Sequence, residues 1–355
     1  MNLNSFRIAL TFAGCFLGAG FVSGQELWQF FGAFGLPGLF GLVLSMTLLF
    51  AFGVLLMRLS VLRGVGECDK LIIRKNNKFL RTFVGIASVF FLLGIAIIMS
   101  AGVGALFEQQ FSFSPYISSA LFCIIIYLLA LGGHKRMVYV FSFTVPLLVV
   151  FTLIIGILSY IFFPASNIVR NSVITDTNPL LNVWWLSAIT FVSYNLFSSI
   201  EILAPLGAVM TNKRQMIKGI ATGCGLLLLI AVCIYFSMFL SPEAVSKELP
   251  MLFVAEKISP FLSFVYAILL FFGMLGTGLS SLVGAIHYIT EKSDVLNTNK
   301  KITTAFVVCL IYLFGLFGFG DLIGTIYPIC GYFGIVALIC MAEHLIHLKN
   351  KGNKK

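Results

Sequence analysis

Long apolar runs alternate with short polar breaks along almost the whole chain, and the runs share one length scale. A helix of about 20 apolar residues crosses the hydrocarbon core of a bilayer. Ten stretches meet that requirement: 6–33, 38–60, 81–109, 115–132, 138–163, 184–211, 215–240, 259–290, 302–318 and 321–346. The pattern predicts an all-α integral membrane protein, a single transmembrane domain of ten helices. Two runs are interrupted by polar and small residues. The first reads Gly14-Cys15-Phe16-Leu17-Gly18-Ala19-Gly20-Phe21-Val22-Ser23-Gly24-Gln25-Glu26, the second Phe191-Val192-Ser193-Tyr194-Asn195-Leu196-Phe197-Ser198-Ser199-Ile200-Glu201. Irregular backbone at membrane depth is tolerated only where it is buried in protein or lines a cavity. Helices 1 and 6 are therefore expected to be discontinuous.

The two breaks occupy matching places in the two halves, about 180 residues apart, and so do the longest runs, 81–109 and 259–290. Repeat one spans about 6–163 and repeat two about 184–346. Five helices per unit is an odd number, so the second unit enters the membrane from the opposite side, giving a 5+5 inverted repeat. Ser23 to Glu26 and Ser198 to Glu201 both fit the S-x-x-E capping box. There the serine accepts from the backbone of the restarting helix and the glutamate reaches back.

Composition agrees: 59% of residues are hydrophobic and 10% charged, where soluble chains carry about 25% charge. Mean hydropathy is +1.04. With both termini cytoplasmic, 20 of the 23 Lys and Arg fall on the inner side, leaving Arg170, Lys247 and Lys257 outside. The positive-inside rule then places a multi-pass protein in the cell membrane in that orientation. A basic face beside anionic lipid accounts for the net charge of +10 with the bilayer, rather than nucleic acid, as partner. The first run carries no cleavage-site signature. The eight cysteines show no CxxC spacing, and His344 and His347 have no third ligand in sight. No HExxH, nucleophile–base pair or phosphate loop is present, so no enzyme and no cofactor are expected.

The candidate chemistry gathers at the breaks. Gly18, Ala19 and Gly20, with Ser23 and Glu26 behind them, suit an unwound segment lining a small-molecule substrate. Tyr194, Asn195, Ser198 and Ser199 offer polar groups from the opposite break, and Phe21, Phe197 and Phe271 an apolar wall. Glu26 and Glu201 are costly inside a membrane and mark function by default. Each is read three ways: binding a substrate amine, carrying a proton, or capping its half-helix. Helix 8 adds Thr277, Ser280 and Ser281, whose oxygens either serve sodium or bond back to their own helix.

The run Gly18-Ala19-Gly20-Phe21-Val22-Ser23-Gly24-Gln25-Glu26, with Tyr194-Asn195 and Leu203-Ala204-Pro205-Leu206-Gly207, resembles the YkvI-like amino-acid permeases, distant members of the amino acid–polyamine–organocation superfamily. The resemblance covers essentially the whole chain. It implies the LeuT-type fold, with helices 1 and 6 discontinuous around a central site, and a secondary transporter working by alternating access. The substrate would be a small amino acid or related solute, coupled to Na⁺ or H⁺. Ser280-Ser281 resembles the Thr-Ser pair of the helix 8 sodium site, with carbonyls of Thr277, Gly14 and Leu17 completing the set for one Na⁺. Phe21 stands where sodium/neurotransmitter symporters place an asparagine, so the resemblance does not extend to a second sodium. The competing reading is an amino-acid sensor on the same fold that binds without turnover.

Overall fold

The computed structural model describes residues 5–63, 78–131, 137–164, 177–208, 210, 212–292 and 294–352. Outside them lie most of the basic junction between helices 2 and 3, as well as Cys68, His134, Lys135, Arg136 and Arg170. The Glu201 side chain is likewise outside the described residues.

The first apolar run folds in three pieces: α1 (Ser5–Phe16), α2 (Ala19–Val22) and α3 (Gln25–Phe30). At a rise of 1.5 Å per residue, α1 is only about 18 Å long, so the run crosses about 30 Å of hydrocarbon only if all three pieces continue one another. A 3₁₀ turn (Gly32–Phe34) leads into α4 (Leu36–Arg63). Then follow α5 (Lys78–Phe111), α6 (Pro115–Leu131) and α7 (Met137–Phe162). The second half holds α8 (Trp184–Ala208), α9 (Lys213–Leu240), a 3₁₀ turn (Pro242–Ser246) and α10 (Pro250–Ile258). It ends with α11 (Pro260–Glu291), α12 (Asp294–Thr298), α13 (Lys300–Phe314) and α14 (Phe319–Gly352). Among the described residues no strand occurs. Five described helices are long and apolar enough to cross a membrane by themselves: α4, α5, α9, α11 and α14.

α8 makes a sixth when its two arms count as one span; they meet at 64°, Trp184–Ile200 against Ile202–Ala208. The second interruption thus takes the form of a bend rather than an unwound stretch. Its serines explain why. Ser198 Oγ donates to the Asn195 carbonyl (2.8 Å) and Ser199 Oγ to the Leu196 carbonyl (3.0 Å). Asn195 Nδ2 donates to the Phe191 carbonyl (3.0 Å). These groups fold back on their own helix, a habit that bends helices, and they cap no restart. The capping-box reading of Ser198 is corrected accordingly.

Helix pairing crosses the two halves, α8 on α4, α11 on α5 and α1 on α9, while α8 also packs on α14 of its own half. Lipid tails are as apolar as the side chains, so close backbone approach at small residues does much of the holding. A Cβ on Gly207 would sit 2.9 Å from the Met57 carbonyl oxygen. One on Gly334 would sit 2.6 Å from that of Ser193.

One end of the bundle is covered by the segment 242–258, here called the lid. Met251 N–H donates to the Ser23 carbonyl (2.9 Å). The Gln109 amide bonds Leu249 in both directions, at 3.2 and 3.3 Å. Gly320 N–H donates to Glu248 Oε2 (2.6 Å). The lid buries Met251, Leu252, Val254 and Ala255 beneath it. The Lys257–Glu243 pair on its outer face is 3.6 Å apart and exposed, so it adds little.

Candidate functional site

The first break begins where α1 stops at Phe16. Gly18 N–H turns to the Phe16 carbonyl (2.9 Å) instead of Gly14. α2 then closes its own bonds from Val22 to Gly18 (3.1 Å) and from Ser23 to Ala19 (3.0 Å). The carbonyls of Gly14 and Leu17 are left without their helical i+4 donors.

Past Val22 the chain turns at Gly24, whose φ of +88° lies in the left-handed region that only glycine enters cheaply. Gly24 is the N-cap of α3 and makes no side-chain cap bond. Ser23 Oγ donates to the Gly20 carbonyl (2.9 Å) and accepts only a long bond from Gln25 N–H (3.4 Å). Glu26 does not reach back to the Ser23 backbone, whose N–H is held by Ala19. The reciprocal capping box is therefore not formed here either.

Other elements supply what the caps do not. A freed backbone group at membrane depth must find a partner inside the protein. Tyr266 of α11 donates to the Val22 carbonyl (2.7 Å), steadied by Thr152 of α7 (3.1 Å). Ser187 of α8 donates to the Phe30 carbonyl (2.6 Å), and Tyr235 of α9 to that of Gly35. None of these four side chains stood out in the sequence, because each lies in an apolar run with nothing local to mark it.

Glu26 is 4% exposed. The Tyr194 hydroxyl donates to its carboxylate. Tyr194 stacks on Tyr327 of α14, ring centroids 4.6 Å apart at 14°. Phe30, Phe191 and Phe91 complete an aromatic enclosure around Tyr194 at 5.5, 5.7 and 6.4 Å. Gly20 fits the carboxylate closely: a Cβ there would lie 3.1 Å from Glu26 Oε2, 3.5 Å from Ile323 and 3.7 Å from the Tyr327 hydroxyl. Three segments thus meet on Glu26: the helix 1 break, α8 and α14. Tyr327 was not legible in the sequence.

The three phenylalanines expected to form one wall are dispersed. Phe21 packs on Phe191 (6.5 Å), Phe197 on Phe91 (6.0 Å), and Phe271 on Phe107 (5.9 Å). Tyr194, Asn195, Glu26 and Gly20 come together; Phe271 does not join them.

On the other side of the break the surroundings are open. A Cβ on Gly14 or Gly18 would meet no atom within 4 Å. Arg7, Thr11, Gly14 and Gly18 form an accessible or partly accessible stripe along α1. On α11, Thr277, Ser280, Gly284 and His287 form another, at helical spacing. α1 and α11 make no substantial contact with each other. Ser280 Oγ donates to the Thr277 carbonyl (2.9 Å), while buried Ser281 uses its hydroxyl on no described residue. Hydroxyl and freed carbonyl oxygens are hard donors of the kind alkali and alkaline-earth cations take. Gly14, Leu17, Thr277, Ser280 and Ser281 carry oxygens of that kind.

A small cavity of about 140 Å³ beside the lid is lined by Glu108, Tyr116, Glu248 and Phe317–Phe319. Burial pushes the Glu248 carboxyl above the ordinary carboxylate value. Asp321 and Glu108 push the same way, and the Gly320 N–H partly opposes them.

No family model matches the chain. The uncharacterised membrane protein YkvI of Bacillus subtilis (strain 168) is 27% identical over 338 residues, 94% of this chain and 95% of that protein. The chain resembles the YkvI-like membrane proteins along nearly its whole length. YyaD of the same organism is 25% identical over 346 residues, 96% of this chain and 97% of that protein. Among solved structures, MhsT in complex with L-phenylalanine superposes with a TM-score of 0.61 at 16% identity, covering 93% of this chain and 87% of MhsT. A Na⁺-coupled sialic acid symporter in a substrate-bound outward-open state gives 0.58 at 13% identity, with 88% and 72% covered. The manganese transporter of Eremococcus coleocola gives 0.57 at 12%, with 93% and 76% covered. The fold shared with these structures is the LeuT type.

Proposed function

We propose that the chain is a secondary active transporter of a small amino acid or related solute, working by alternating access and coupled to Na⁺ or H⁺. In this reading ten helices cross the cell membrane as a 5+5 inverted repeat with both termini cytoplasmic. Helix 1 is broken at 17–18 and 23–24, and helix 6 turns at its 64° bend. The observation that carries the reading is the contrast between the two sides of the first break. Toward the lid, the Val22 and Ser23 carbonyls are sealed by Tyr266 and Met251. Away from it, Gly14 and Gly18 face open space, and the polar stripe of α11 is only partly covered. Polar side chains in membrane segments face a water-filled cavity or the bundle interior, so the two stripes suit an aqueous cleft open on the cytoplasmic side. Substrate binds around Gly18, Ala19 and Gly20 with Ser23, Tyr194, Asn195, Ser198 and Ser199. Na⁺ takes the oxygens of Gly14, Leu17, Thr277, Ser280 and Ser281.

The test is uptake of a panel of radiolabelled amino acids into proteoliposomes under an imposed Na⁺ or H⁺ gradient. Accumulation above the outside concentration is expected. A sensor would bind an amino acid without ever concentrating it.

A further inference from the structure

We propose that Glu26 is a proton-binding site, and that its protonation state governs how the helix 1 break is held against α8 and α14. The inference deepens the transporter reading by naming one coupling ion and its residue. It starts from an energetic conflict. Glu26 is buried, and among the described residues no basic side chain pairs with it. A buried carboxylate without a cation is unstable and escapes by neutralising itself.

Two neutralising partners are conceivable, an amine on the substrate or a proton, and the packing chooses between them. Tyr194 donates to the carboxylate, and the position a Gly20 Cβ would take lies only 3.1 Å from Oε2 and within 3.7 Å of Ile323 and the Tyr327 hydroxyl. This close packing favours a proton, which needs no room, over an ammonium group. The open space at this break lies instead beside Gly14 and Gly18.

The titratable groups facing Glu26 are few. α8 brings Tyr194 and α14 brings Tyr327, with Cys330 beyond it. Tyr235 of α9 spends its hydroxyl on Gly35. Asp321 and Glu248 stand at the lid end of α14, where Glu248 is held by Gly320. The step is simple to balance: the carboxylate takes a proton from water on one face and becomes a neutral acid, then returns the proton to water on the other. When Glu26 is ionised, Tyr194 donates to it. Once it is protonated, the acid carries its own O–H that needs an acceptor, and the bond from Tyr194 loses its charge assistance and weakens. That contact joins α3 to α8, which is how the proton acts on the backbone.

The test is infrared difference spectroscopy of the full chain in lipid nanodiscs, between acidic and alkaline buffer. We expect a carbonyl band of a protonated carboxyl in an apolar site that titrates with pH, shifts in D₂O and is lost in Glu26→Gln. Tyr194→Phe, which keeps the carboxyl but removes its donor, should shift the band. A Glu26→Gln spectrum that superposes on wild type at every pH overturns the proposal. Should that variant fail to fold, an unmoved band in Tyr194→Phe overturns it equally. The second arm follows labelling of Thr277→Cys by a membrane-impermeant thiol reagent. Its rate, corrected for the thiolate fraction of the probe, should depend on pH in the otherwise native chain and lose that dependence with Glu26→Gln; identical corrected pH profiles overturn the link to the backbone. Neither readout requires transport, so failure here is distinct from failure of the transporter reading.

Discussion

At the scale of single residues, the break rests on two glycines with opposite surroundings. Gly24 combines a φ of +88° with three neighbours crowding its missing Cβ: Met238 at 3.2 Å, with Ile234 and Met251 at 3.3 Å. For Gly24→Ala the left-handed backbone costs about 1–2 kcal/mol and overpacking about 1–3 kcal/mol. Destabilisation of about 2–5 kcal/mol is expected in denaturant titration of the protein in detergent. Gly18→Ala should be neutral within about 0.5 kcal/mol, because its backbone is extended and no atom lies within reach. Equal effects in the two variants would contradict this account of the turn. The sequence marked both positions alike, as glycines in a polar stretch. Their difference comes from α9 and the lid, more than 200 residues away. Glu26 was visible as an intramembrane carboxylate, but its partner Tyr327 was not. A tyrosine before Pro328 in an apolar run carries no local sign that it stacks on Tyr194.

At the scale of elements, the spans were legible because bilayer thickness fixes their length, and α4, α5, α9 and α11 run close to the stretches read from hydropathy. The capping of the breaks was misread. S-x-x-E is a local signature, and here tertiary donors replaced it: Tyr266, Ser187 and Tyr235 serve the freed carbonyls. Tyr266→Phe keeps the ring but leaves the buried Val22 carbonyl unpaired, which costs about 1–3 kcal/mol. Thermal unfolding should show that loss, and an unchanged midpoint would mean the carbonyl has another partner. The lid makes a pH-dependent prediction. Burial holds Glu248 above the ordinary value of 4.5, so the closed lid binds a proton more tightly than an open lid that exposes the group to water. The added stability of the closed lid is full below 4.5 and is lost as pH rises through the raised value. Hydrogen exchange at Leu249 and Met251, corrected for intrinsic rates, should therefore show less protection on the alkaline side. Glu248→Gln should flatten that dependence, and a wild-type profile without slope would count against it.

At the scale of the whole molecule, the lid end and the far end of the first break are held differently, and that asymmetry asks what reverses it. A ligand shifts a two-state equilibrium only by its differential affinity for the two states. Sodium at the oxygens of Gly14, Leu17, Thr277, Ser280 and Ser281 would join α1 to α11, two elements that make no substantial contact in the present arrangement. Its binding should draw them together and close the cleft between them. Two effects ought then to appear in one sample. Na⁺ at one hundred times its dissociation constant should stabilise the fold by about 2.7 kcal/mol relative to K⁺. It should also slow thiol labelling of a cysteine placed at Thr11, on the exposed stripe of α1. The Ser280→Ala/Ser281→Ala variant should lose both responses together, because both depend on the same oxygens. Stabilisation without slower labelling would place the ion elsewhere on the protein. A chain that responds identically to Na⁺ and K⁺ in both measurements would leave the proton as the coupling ion and Glu26 as its site.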